Sequence, residues 1–304
     1  MAAMLRFQLS AVLLTATLAA STSAAAQQPP AALTADPPAD KANPAKMDAF
    51  QIPSHGAQLN AIAYLASGVG PHPVVIVLHG FPGNEKNLDL AQSIRRAGWN
   101  AIFFDYRGSW GSPGSFSFAN SIEDTVAAIA YLRDPANATR LRTDPKRIAL
   151  VGHSMGGFMA AYAGAQDPAI LGIGLISAAN MSDWAGGYVP ADHEAANRTR
   201  LLKSLADNDI LPLAGCTAES LADEMLSHRK QWNFVDYAAM FGNRPLLLIT
   251  SDDGLSPAAT RLATTVRALG GTHVTEQHFQ TDHSYSDQRI ALQVAVLNWL
   301  ATLQ

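Results

Sequence analysis

Cysteine is almost missing from this chain: Cys216 is the only one in 304 residues. An intramolecular disulfide framework is thereby excluded, and so is a metal cluster built on several thiolates. Charge is also scarce, at 15% of residues, and nearly balanced, with a formal net charge of -4. Nucleic acid and anionic membrane surfaces, which call for a basic patch or stripe, are not expected partners. No self-similarity at the periods of solenoids or propellers is present. The apolar run at residues 9–20 falls short of the ~20 residues needed to span a bilayer.

What the chain does have is apolar material, 48% of it, enough for one large core or two smaller ones. Its first residues carry one charge, Arg6, then that apolar run, then Ala24-Ala25-Ala26. This is the pattern of a secretory signal peptide, residues 1–26, cleaved after Ala26; the competing reading is an uncleaved N-terminal anchor. No cysteine follows the run to accept a lipid, so the cleaved chain is expected to be secreted or periplasmic with no stable membrane anchor. Residues 27–46 are rich in Pro and Ala without apolar periodicity, and read as a flexible spacer. The folded domain is expected over 47–304.

Within it, strand and helix patterns alternate. Gln58–Leu65 alternates like an early antiparallel strand, and Val74–Leu78 is a continuous β-branched run suited to a strand buried on both faces. A helical pattern at 85–97 stops at Gly98. Further strands are expected at 101–104, 148–151, 170–176, 245–250 and 272–279, with helices at 121–133, 154–166, 257–269 and 287–302. Such alternation predicts βαβ units, hence a doubly wound, mostly parallel α/β sheet. Residues 178–244 break the rhythm with helical patterns and the aromatics Trp184, Tyr188, Trp232, Phe234 and Tyr237. A structureless connection of that length is improbable in a compact domain. It reads as a helical cap over the strand ends, or else as extra packing helices with no part in a site.

Ligands of parallel sheets bind beyond the carboxyl ends of the strands, so the loops there are the places to search. Gly152-His153-Ser154-Met155-Gly156 joins the strand ending at Val151 to a helix. A serine on so sharp a turn needs Gly two residues before and after it, and its hydroxyl is presented at the helix N-terminus as a candidate nucleophile. His79-Gly80-Phe81-Pro82-Gly83 follows the 74–78 strand. An oxyanion needs two preorganised N–H donors; the Met155 amide offers one and the Phe81 amide the other. His79 reads as a brace for that loop. A base needs a carboxylate to hold its tautomer, and the adjacent Asp252 and Asp253 compete for that place. His283, between the last strand and the last helix, is the candidate base in preference to His278.

Together these residues resemble the α/β-hydrolase superfamily over about residues 48–304. The similarity is strongest at His79–Gly83, at Gly152–Gly156, and at Asp253 and His283 in the order serine, acid, histidine. The resemblance implies Ser154 as nucleophile, Asp253 as acid on the Asp-x-x-x-Pro spacing to Pro257, His283 as base, and the Phe81 and Met155 amides as the oxyanion hole. Asp105-Tyr106-Arg107-Gly108-Ser109-Trp110-Gly111 is similar to the Arg-Gly-x-Gly loop of the branch shared by serine aminopeptidases, prolyl oligopeptidase-like domains and bacterial esterases. There the arginine braces loops, which gives Arg107 a supporting role.

The expected activity is that of a secreted serine hydrolase cleaving a carboxylic ester, with no metal or organic cofactor. A serine aminopeptidase or amidase acting on short peptides is the alternative, and a non-catalytic binding protein on the same scaffold a second. Asp192 and Glu194 are the only, weak, candidates for holding a peptide's N-terminus. Ser154 in place of Cys or Asp disfavours dienelactone hydrolases and dehalogenases. Substrate identity and oligomeric state are not legible.

Overall fold

The computed structural model describes residues 29–303; the expected signal peptide and its cleavage point lie outside them. The first long elements are β1 (Lys46–Ser54) and β2 (Ala57–Leu65), an antiparallel hairpin closed by His55 and Gly56. Both turn residues have positive φ, 46° and 84°, as a tight two-residue hairpin turn requires. β1 was not anticipated as a strand, because its outward residues blur the alternation. Then follow β3 (His72–Leu78), α1 (Leu88–Arg96), β4 (Asn100–Phe104), α2 (Phe118–Arg133), α3 (Pro135–Leu141), β5 (Thr143–His153), α4 (Met155–Gln166) and β6 (Gly172–Ile176). After four cap helices come β7 (Leu246–Thr250), α9 (Ser256–Ala268), β8 (Val274–His278) and α10 (Arg289–Ala301).

Among the described residues the strands form one eight-stranded sheet in the order β1-β2-β4-β3-β5-β6-β7-β8. β1, β2 and β4 pair antiparallel; β4-β3-β5-β6-β7-β8 run parallel. The expected doubly wound, mostly parallel sheet is present. β4 and β6 are buried throughout and β3 and β5 over their carboxyl-terminal halves, and successive side chains serve opposite faces. Val74, Ile76, Leu78, Ile148 and Leu150 join the core shared with α2, α4 and the cap. Val75, Val77, Ala149 and Val151 join the core beneath α1 and α10.

The segment expected to be a flexible spacer is fastened in two places: residues 38–44 bond to Ser67, Gly68 and Arg142, and residues 31–33 dock further along the chain's surface. Ala31–Leu33 form a single 3-10 turn that packs against α1 and α10, with Ala32 buried. A short Ala-Ala-Leu cluster suffices to dock on an apolar groove even where no periodicity announces it.

Residues 178–244 are largely helical: α5 (Met181–Trp184), α6 (Glu194–Asp207), α7 (Ala218–His228) and α8 (Ala238–Phe241). Two attachments fasten them to the sheet domain. Cap residues 212–214 zip onto the loop after β4, through Trp110 N–H to the Pro212 carbonyl, Ala214 N–H to Gly108 and Phe116 N–H to Ala214. Glu224 on α7 accepts the Phe118 and Ala119 amides, each at 2.9 Å. Its carboxylate thereby satisfies orphan donors at the N-terminus of α2.

Arg107 does brace a loop, but away from the strand ends. Its Nε donates to Asp124 at 2.6 Å, its backbone N–H reaches the same carboxylate at 2.8 Å, and Ser54 donates to it at 2.6 Å. Asp124 is fully buried on α2; burial pushes its carboxyl up, against the pull of these donors. Losing Asp124 leaves the Arg107 Nε–H, the Arg107 backbone N–H and the Ser54 hydroxyl without this acceptor, although Arg107 keeps Glu123 as a second partner. Asp124→Ala is therefore expected to lower the urea unfolding free energy by about 3 kcal/mol. A change within ~0.5 kcal/mol, the scale of an ordinary surface substitution, would contradict the assignment.

Candidate active site

Ser154 sits between β5 and α4 with φ 57° and ψ -122°. No L side chain adopts that backbone without strain, and such strain persists only where the surroundings over-determine it. The flanking glycines show how. A Cβ on Gly152 would lie 2.0 Å from the Gly156 carbonyl oxygen, and one on Gly156 would lie 2.1 Å from the Leu78 oxygen. The strand end, the helix start and the neighbouring strand close on one another only if both positions lack a side chain. Gly80 is pressed against the serine itself: its Cβ would stand 2.8 Å from Ser154 Cβ and 3.4 Å from Oγ. The Gly80-Phe81 segment thus lies directly over the hydroxyl, with Met155 starting α4 beneath it. Among the described residues neither the Phe81 nor the Met155 amide donates to a protein acceptor.

His283 Nδ1 lies 2.7 Å from Asp253 Oδ2, while the Leu255 amide donates to Asp253 Oδ1 at 2.9 Å. Burial pushes the Asp253 carboxyl up, yet hydrogen bonds from His283, Ser177, Leu255 and Ser251 outweigh it and hold the group well below the usual carboxylate range. Asp253 is therefore a persistent anion that fixes the Nδ1–H tautomer of His283 and leaves Nε2 for the cavity side. Asp252, the competing acid, points outward and pairs with His278 at 3.1 Å, both more than 45% exposed. Neither reaches Ser154's cavity. That cavity, of about 550 Å³, is lined by Ser154, His283, Asp253 and Phe81 together with Trp184, Ser204 and Asn208 of the cap. A smaller lobe continues past Ser154 and His283 towards Asn84 and Glu85.

His79 is fully buried and donates from Nδ1 to the Gly80 carbonyl at 2.8 Å. Burial pushes its imidazole down to about 3, so it is held neutral against the Gly80 carbonyl. Trp110 adds a second clamp by donating to the Pro82 carbonyl at 2.8 Å.

Several residues at the site were not singled out from sequence. His153, the unspecified position before the serine, is 4% exposed and donates from Nε2 to the His283 carbonyl at 2.8 Å. Its ring lies 4.6 Å from that of His283. Burial again pushes it down to about 3. Ser177, Ser251 and Tyr285, all within 1% exposure, form a hydroxyl chain beneath the acid, with links of 3.0 and 2.8 Å. The only signal for Ser177 and Ser251 was their place at the ends of apolar strands. Arg107 does not line the cavity, and Asp192 and Glu194 are absent from its lining; Glu194 is held by Arg229.

A family model described as the alpha/beta hydrolase fold matches residues 73–208. An uncharacterized protein of Mycobacterium tuberculosis is 30% identical over 133 residues, 43% of this chain and 46% of that protein. The match thus spans about half the length of this curated relative. Among solved structures, the thermostable carboxylesterase EstE1 from a metagenomic library superposes with a TM-score of 0.58 at 19% identity, covering 86% of this chain and 91% of that one. An acylaminoacyl peptidase of Pyrococcus horikoshii superposes with 0.60 at 18% identity, covering 84% of this chain but 41% of that one. The chain has the α/β-hydrolase fold.

His153 separates positional support from titration. In the folded chain it stays neutral down to about 3, whereas an unfolded histidine takes up its proton near 6.5. Folding stability contributed by this group is present above 6.5 and is lost as pH falls between the two values. His153→Gln retains an N–H donor without titrating. It should keep most activity and flatten the stability slope by about 1.4 kcal/mol per pH unit below pH 6. His153→Leu should lose kcat by about tenfold or more, the usual scale for a misplaced base. Urea titrations from pH 7 to 4 and steady-state kinetics read both. An unchanged slope in the Gln variant, or a fully active Leu variant, contradicts the role.

Proposed function

We propose that this chain, with its α/β-hydrolase fold, is a serine hydrolase that cleaves carboxylic esters through an acyl-enzyme. The observation that carries the proposal is the Asp253–His283 pair at 2.7 Å in the same cavity as the strained, glycine-flanked Ser154.

In this reading His283 Nε2 takes the Ser154 proton as Oγ attacks the substrate carbonyl carbon. The C=O electron pair moves onto oxygen, which is received by the free Phe81 and Met155 amides. When the tetrahedral intermediate collapses, the C–O bond to the leaving alcohol breaks and His283 returns the proton to it. Water, deprotonated by His283, repeats the sequence on the acyl-serine and releases acid. Asp253 remains ionised throughout and stabilises the imidazolium formed in each half-reaction. His79 and Trp110 hold the oxyanion loop, and His153 holds the base from behind.

An ester is favoured over a peptide because, among the described residues, the cavity lining offers no open pair of carboxylates for a peptide's N-terminus: Asp253 is bound to His283, which leaves Asp183 alone, with one of its oxygens on Arg261. The pattern of residues 1–26 supports export as part of the same proposal.

Ser154→Ala is expected to lower hydrolysis of p-nitrophenyl butyrate by about 10⁴-fold or more while the unfolding transition persists. A fluorophosphonate probe is expected to label Ser154 and nothing else. Aminoacyl anilides should be turned over at least about tenfold less efficiently than short-chain esters. Unlabelled Ser154 in a folded, inert protein would point instead to a binding protein; preference for the anilides would point to a peptidase.

A further inference from the structure

We infer that the substrate group filling the cap-covered cavity is a flat ring with a hydroxyl on its edge, a hydroxyaryl ester in place of a long-chain one. This rests on the ester-hydrolase reading of the same site and names its substrate class.

The cavity, at about 550 Å³, is in the range of sites for medium-sized organic ligands and far larger than an acetyl group needs. Its wall beside Ser154 is aromatic. Phe81 and Trp184 meet edge-to-face with centroids 5.6 Å apart, and Phe118 packs against both, at 5.5 and 6.0 Å. Trp184 cannot swing aside freely, because its indole N–H donates to Ser204 Oγ at 3.0 Å. Leu255 adds a branched side chain to the apolar lining, and Ala179, Pro257 and Ala258 add short or ring-stiffened ones. A rigid wall of ring edges and faces rewards a flat ring by stacking and edge contacts that an alkyl chain does not make. The chain would also forfeit more rotamer freedom on being ordered there.

The polar part of the lining comes from the cap and is not apolar-chain territory. Ser204 on α6 and Asn208, the C-cap of that helix, stand about one turn apart. Asn208 Nδ2 gives one hydrogen to the Ser204 carbonyl at 2.7 Å, which leaves Oδ1 as an open acceptor and the second Nδ2 hydrogen as an open donor. Ser204 Oγ accepts the Trp184 indole N–H and keeps its own hydrogen to give. Asp183 gives one carboxylate oxygen to Arg261 and keeps the other. The lining therefore offers acceptors and donors side by side. A phenolic or alcoholic hydroxyl, which donates and accepts, satisfies Asn208 Oδ1 and a neighbouring donor together, whereas a methyl terminus desolvates them without replacement. A carboxylate there would meet like charge from Asp183.

Methyl 3-(4-hydroxyphenyl)propionate, methyl 3-phenylpropionate and methyl nonanoate have acyl groups of equal carbon count and separate ring from hydroxyl. Hydrolysis by the wild type should favour the phenyl ester over the nonanoate by about tenfold in kcat/KM, and the hydroxyl should add about fivefold more. Asn208→Leu should erase the hydroxyl increment and keep the ring preference; Trp184→Leu should erase the ring preference. Calorimetric binding of the same three esters to the Ser154→Ala variant should follow the same order without turnover. Nonanoate equal to or better than the phenyl ester in both assays, or indifference to the hydroxyl in both, overturns the inference. Equal turnover of all three would leave the hydrolase reading standing and this specificity refuted. Ordered binding with no turnover by the wild type would do the reverse.

Discussion

The Gly156 backbone passes so close to the Leu78 carbonyl that a Cβ there would sit 2.1 Å from its oxygen. That contact is what lets α4 start immediately after β5, and nothing else at the site is independent of it. With α4 pinned against the end of β3, the residue between strand and helix must turn at φ 57° and ψ -122°. The strain of such a backbone is of order 1–3 kcal/mol. It is offset by the burial of α4, whose residues Met155, Phe158, Met159, Ala160 and Ala161 are at 0% exposure in the centre of the larger core. The same contact brings the Gly80-Phe81 segment over Ser154. One steric requirement thus sets the place of Ser154, the first free amide of α4 and the free amide of the loop above it.

Electrostatics then sorts three histidines that lie within one neighbourhood. His79 and His153 are taken out of water and pushed down to about 3, so each keeps one N–H at neutral pH. Each spends it on a backbone carbonyl, of Gly80 and of His283 respectively. They hold loops and cannot exchange protons in the working range. His283 keeps 40% of its side chain exposed and faces a buried, ionised carboxylate. Of the three, it alone combines a place on the cavity wall with a carboxylate on its Nδ1. The histidine count of nine says nothing of this; depth below the surface decides it.

Much of the fold was legible because its signals are local. Val74–Leu78, the 148–151 run and the glycines around Ser154 each announce their element through neighbours in sequence. The placing of Asp253 and His283 after the last strands was legible for the same reason, since a parallel sheet puts such loops at one end. Three things were not. β1 presents mostly exposed residues outside its pairing with β2, so alternation failed there. Asp124 carries no motif, and only the fold reveals it as the partner of Arg107. His153 occupies a position that the elbow pattern leaves free, and its role comes from a loop 130 residues away.

The cap is where sequence reading runs out, for a physical reason. Its helices are short or amphipathic, and their placement is decided by contacts with the sheet domain: the 212–214 zipper onto the loop after β4, and Glu224 on the N-terminus of α2. Those same attachments reach the residues around Ser154. Trp110 takes a cap carbonyl with its backbone and holds the Pro82 carbonyl with its indole. Trp184 leans on Phe81. A cap seated this way does more than cover the cavity. It makes the shape of that cavity and the rigidity of the Gly80-Phe81-Pro82 segment parts of one packing arrangement, so a substitution on α5 or α6 is felt beside Ser154 as well.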